Sequence, residues 1–113
     1  MVLKIFQYIA AIGTIGTGFF ALLKPKSAQG FTGLQLPGAR GVTEMRSIMG
    51  GLFIALGAAP IIFQSEAMFL MLGIAYLAIG AVRAVSMFVD GSLEPSNYIS
   101  LAVEIVFGII LVL

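Results

Sequence analysis

The chain has no cysteine, no histidine and no tryptophan among its 113 residues. Without Cys or His it lacks the usual protein ligands for zinc, copper, haem iron and iron–sulfur clusters, so no metal site and no cofactor is expected. The same two absences remove the thiol nucleophile and the imidazole base. Ser47, Ser86 and Ser100 have no evident activating partner, so no catalytic residue is assigned and the chain reads as non-enzymatic. Charge is nearly as scarce. Six Lys and Arg stand against five Asp and Glu, for a formal net charge of +1. Such a balance provides neither a basic surface for nucleic acid nor an acidic tail for a basic partner.

What remains is apolar. Hydrophobic residues make up 60% of the chain, and the mean hydropathy of +1.12 lies outside the soluble globular range. The length supports one domain, residues 1–113. Four apolar runs, at about 2–23, 43–63, 66–89 and 97–113, are long enough to cross ~30 Å of hydrocarbon. The first, opening "MVLKIF", resembles a signal peptide, but its apolar core is too long. It is also followed by "LLKPKS", where cleavage wants small neutral residues. It is therefore read as a spanning helix.

The connections are unequal. Residues 24–42 form a long loop whose Pro and Gly residues break helix, and whose "FTGLQL" centre is amphipathic enough to lie at the interface. "QSE" is a tight turn, and "DGSLEPS" carries a turn dipeptide, a proline and then Ser96 or Asn97 as an N-cap. Short links require antiparallel neighbours. The expected fold is therefore all-α, an integral membrane four-helix up-and-down antiparallel bundle. Lys24, Lys26 and Arg40 lie on the side of the first and third loops, with Arg46 and Arg83 just inside it; the other side has Lys4 and the terminal amine. The positive-inside rule places these loops in the cytoplasm and both termini outside.

Glycine recurs where helices would pack: Gly13 and Gly16, Gly50 and Gly57, Gly73 and Gly80, and Gly108. In lipid, close backbone approach replaces the hydrophobic drive, so these faces are expected to point inward. "GTIGTG", residues 13–18, imitates a phosphate loop but lies inside a span, and reads as packing. The methionines at 45, 49, 68, 71 and 87 read as packing as well.

Into this scaffold the stretch "GARGVTEMRSIMGG", residues 38–51, sets charge at the mouth of a span. Helix rise puts Glu44 ~6 Å, Arg46 ~9 Å, and both Arg83 and Glu104 ~10 Å from the loop-side boundary. Arg46, Arg83 and Glu104 lie one turn from Gly50, Gly80 and Gly108, and all four charges are expected to face the interior in one layer. Glu104 would clamp Arg83 or Arg46, Glu44 would take the other, and Asp90 would close the network from the interface. Tyr76, two turns from Arg83, lines the same interior or packs in the core; Tyr8 and Tyr98 read as interface anchors. The layer is either a structural ion-pair network or a binding or translocation site open to the cytoplasm.

"EMRSIMGGLFIALG", "YLAIGAVRAVSMFVDGS" and "SLAVEIVFGIIL" together resemble the small bacterial membrane proteins of the family known as domain of unknown function 4345. The matching positions are Glu44, Arg46, Gly50, Gly51, Arg83, Asp90, Gly91 and Glu104, within residues 38–113. The resemblance implies a four-helix protein of the bacterial inner membrane, akin in architecture to small DoxX-like proteins, and implies no activity.

Three functions compete. The first is a bundle whose polar layer and neighbouring groove bind a small amphiphile or lipid. The second is an accessory subunit of a larger membrane complex, with membrane lipids and other chains, including copies of itself, as partners. The third is a small oligomeric transporter or proton-coupled exporter using Glu104. Small multidrug exporters carry their essential glutamate in the first helix, and this first helix has no acid.

Overall fold

A computed structural model describes residues 1–113. The chain is all helical: α1 (Val2–Leu23), α2 (Pro25–Thr32), α3 (Gly38–Phe63), α4 (Glu66–Val89) and α5 (Pro95–Val112). All but α2 are long and apolar enough to cross a membrane, the architecture of a membrane protein. Two compact units divide them. One comprises residues 1–10 with 65–113, the other residues 11–64.

The stretch 24–42 is not a loop throughout, as its Pro and Gly content led us to expect. Pro25 occupies the first turn of α2, where its missing N–H costs nothing and its fixed φ suits a helix. Gly33, at φ 78°, ends that helix by donating its N–H to the Gln29 carbonyl at 2.8 Å. Ala28 on α2 packs with Ala21 and Met45 in a small core bordered by Leu36 and Met49. One apolar residue per turn is enough to seat so short a helix.

The second span begins five residues earlier than position 43, directly after Pro37. Within α3, Met45–Leu52 is wound as a π-helix, and Pro60 is fully buried further along. α1 and α3 run antiparallel: a Cβ on Gly18 would lie 2.7 Å from the Gly50 carbonyl, and one on Gly57 would lie 2.5 Å from the Ala11 carbonyl. "GTIGTG" is thus a packing element, through Gly18. Gly16, which was also expected to be at a contact, faces open space.

Gln64, at φ 47°, and Ser65, whose Oγ accepts from the Met68 N–H at 3.3 Å, make the tight turn into α4. α4 and α5 are antiparallel across Gly73 and Gly108. A Cβ on Gly73 would stand 2.7 Å from that of Leu111, and one on Gly108 would lie 2.6 Å from Leu77 Cδ2. Phe69, Leu72, Tyr76, Met87 and Leu111 are buried in this unit. The start of α1 belongs to it as well: Tyr8 meets Phe69 edge-on at 5.3 Å, and Gln7 donates to the Ile110 carbonyl at 3.1 Å.

α4 stops because Gly91, at φ 66°, lets Ser92 donate its N–H back to the Met87 carbonyl at 2.9 Å. α5 then starts with Glu94 as N-cap and Pro95 at its first position, two residues before the expected Asn97. Proline supplies the start signal in place of a capping side chain.

Candidate functional site

Charge concentrates at the end of the α4–α5 pair where the connecting turn lies. Arg83, seven residues before the α4 C-cap Asp90, and Glu104, nine residues into α5, face each other. Arg83 Nε donates to both Glu104 oxygens at 2.8 and 3.0 Å, and Nη2 donates to Oε2 at 2.8 Å. This is a forked guanidinium–carboxylate pair, the strongest geometry available to these groups. The Glu104 side chain is 10% exposed and that of Arg83 31%. Glu104 is thus held in the interior while Arg83 reaches toward the surface.

The network continues to the turn. Arg83 Nη1 donates to Asn97 Oδ1 at 2.9 Å, and Asn97 Nδ2 donates to the Ser92 carbonyl at 2.8 Å. One line of hydrogen bonds therefore ties the interior carboxylate to the backbone of the α4–α5 turn. Asn97 is a member of this network that the sequence reading assigned only to capping. Its seven-residue spacing from Glu104, two helical turns, was the available signal.

Glu44 and Arg46 do not follow the expected pattern of four inward-facing charges: both are exposed. Glu44 is paired with Arg40, one turn upstream, and the side chains are 52% and 79% exposed. A partner at i−4 requires no long-range order, so local pairing prevails. Arg46 Nε donates to the Leu22 carbonyl at 3.1 Å. That carbonyl lies in the last turn of α1, where intrahelical donors run out and a cation is favoured by the helix dipole. Arg46 thus serves as a helix cap.

Asp90 ends α4, is exposed, and has no ion-pair partner; Asn97 occupies the place beside Arg83 that the sequence reading gave to Asp90. Tyr76 is buried, with its ring edge-on to Phe107 at 5.6 Å. Gly80 packs less tightly: a Cβ there would lie an ordinary 3.5 Å from that of Glu104.

Beside the pair, an open cleft of about 580 Å³ runs along the end of α4. Ala78, Ile79, Val82 and Met87 make its apolar wall. Arg83, Ser86, Asp90, Ser92 and Asn97 supply its polar groups, which gather toward the turn. Such a volume, with a few convergent polar groups on an apolar lining, is of the size that holds a small molecule or part of a lipid.

Residues 2–113 match the family described as Domain of unknown function (DUF4345), and the chain belongs to that family. No curated protein and no solved structure matches it.

Proposed function

We propose that this protein is a non-enzymatic integral membrane protein that holds a lipid or similar small amphiphile in the α4–α5 cleft. The observation that carries the reading is the gradient along that cleft, from Ala78, Ile79 and Val82 to Arg83, Ser86 and Asp90. Acyl chains would lie on the apolar stretch, and a polar head would meet the hydrogen-bonded end beside the turn. The Arg83–Glu104 pair sums to zero charge, so it stiffens the polar end without imposing an ion on the span. Residues flanking the cleft on the same helix, Val85, Phe88 and Val89, are 64% to 77% exposed, as a lipid-facing surface would be.

The protein would work in the bacterial inner membrane with its loops in the cytoplasm, alone, as a homo-oligomer or as a subunit of a larger membrane complex. An exporter reading requires Glu104 to be released and reached by water. Three hydrogen bonds from Arg83 to a nearly buried carboxylate speak against that.

The test uses purified protein in detergent, melted with and without a total membrane lipid extract. Wild type is expected to gain stability from the extract, because a ligand of the native state stabilises by mass action. Ala78→Phe, at an exposed position in the cleft wall, should fold normally and lose most of that gain. Equal gains for the two proteins would overturn the reading.

A further inference from the structure

Within the α4–α5 cleft, and resting on the proposal that an amphiphile occupies it, we infer that the headgroup is zwitterionic: a phosphate for Arg83 and a primary ammonium for Asp90, as in a phosphoethanolamine lipid. Arg83 carries five N–H donors. Glu104 and Asn97 take one from Nε, one from Nη1 and one from Nη2, which leaves one on each terminal nitrogen. Two donors on adjacent nitrogens of a planar guanidinium match two oxygens of a phosphate. Ser86 and Ser92, on the same lining, add hydroxyls for the remaining oxygens.

A simple anion is nevertheless a poor fit. Arg83 and Glu104 cancel, so Asp90 leaves the cleft with a net negative charge. Its carboxylate has no ion-pair partner and stands two helical turns beyond Arg83, on the side of the turn. An anionic head would meet repulsion there; a head that bears a cation beyond its phosphate would meet attraction. The cation is further specified by what lines the site. Quaternary ammonium groups are recognised by aromatic faces, and no aromatic residue lines this cleft. A lone carboxylate accepting hydrogen bonds suits a primary ammonium, which donates three. The occupant is a membrane lipid rather than a free phosphoamine, because the lining continues for more than a helical turn as Ala78, Ile79 and Val82.

The experiment titrates the detergent-purified protein with phosphatidylethanolamine, phosphatidylcholine and phosphatidylglycerol of identical acyl chains, reading affinity from melting shifts and bound lipid from native mass spectrometry. Wild type is expected to bind the ethanolamine lipid about threefold to tenfold more tightly than the other two, the range for a partly exposed charge-assisted hydrogen bond. Asp90→Asn should erase the preference over phosphatidylcholine and improve phosphatidylglycerol. Ala78→Phe should weaken all three, and free phosphoethanolamine should produce no shift. Equal affinities that Ala78→Phe abolishes would overturn the headgroup assignment and leave the cleft reading intact. Preference for phosphatidylglycerol, or a response to free phosphoethanolamine matching that of the lipid, would overturn the assignment as well. No shift from any lipid, or shifts unchanged by Ala78→Phe, would overturn both.

Discussion

Arg83 and Glu104 are the residues on which the unit formed by α4 and α5 depends for its polar interior. Removing one partner strands the other charge in a largely desolvated place, so Glu104→Gln is expected to lower stability by about 3 kcal/mol. Replacing both, as Glu104→Gln with Arg83→Gln, should recover most of that loss, because two neutral amides can pair with each other. Chemical unfolding of the three proteins in mixed micelles measures this. Additive losses would show that the two residues act independently. By contrast, Arg40→Ala breaks a pair whose members are more than half exposed, and should cost under about 1 kcal/mol. That Glu104 would pair with an arginine at its own depth was legible from sequence, because helix rise places Arg46, Arg83 and Glu104 in one layer; that the partner is Arg83 and not Arg46 was not. Nor was the fate of Glu44 and Arg46. Depth says nothing about competing partners: Glu44 finds Arg40 one turn away on its own helix, and Arg46 finds an unfilled carbonyl at the end of α1.

The four long helices were legible from apolar runs alone, since a span of hydrocarbon leaves few alternatives to a helix of matching length. Their starts were less so. α3 and α5 begin after Pro37 and at Pro95, and both prolines read first as breakers of structure rather than as openers of a helix. The π-helical stretch Met45–Leu52 had no signal in the pattern, because apolar periodicity is too coarse to separate one winding from another over eight residues. Glycine counts were informative, but only geometry sorts the contacts from the bystanders. Gly57→Ala and Gly73→Ala would drive a methyl into backbone or packed side chains at 2.5 to 2.7 Å, and each should cost about 1 to 3 kcal/mol. Gly16→Ala has nothing within 4 Å and Gly80→Ala has its nearest atom at 3.5 Å, so both should be neutral or stabilise by up to about 1 kcal/mol. Melting temperatures of the four variants provide the comparison. A uniform loss across the set would contradict the assigned contacts.

For the molecule as a whole, scarcity is informative. With only 11 charged side chains, those at the two helix ends described above have individual roles: Arg46 closes the end of α1, and Arg83, held by Glu104, lines the polar end of a cleft. The absence of cysteine also makes topology directly testable. Ser27→Cys and Leu113→Cys each introduce a single thiol. Charge asymmetry predicts that a membrane-impermeant maleimide applied to intact cells labels Leu113→Cys, and that Ser27→Cys is labelled only after the membrane is opened. The opposite pattern would invert the orientation. The most direct measurement of the central claim is to photolyse the wild-type protein with a lipid carrying a photoreactive group in its acyl chain, and to map the adducts by peptide mass spectrometry. The cleft reading predicts adducts concentrated on Ala78, Ile79 and Val82 and competed away by unlabelled lipid. Adducts spread evenly over the exposed apolar faces of all four long helices, unaffected by competitor, would contradict it.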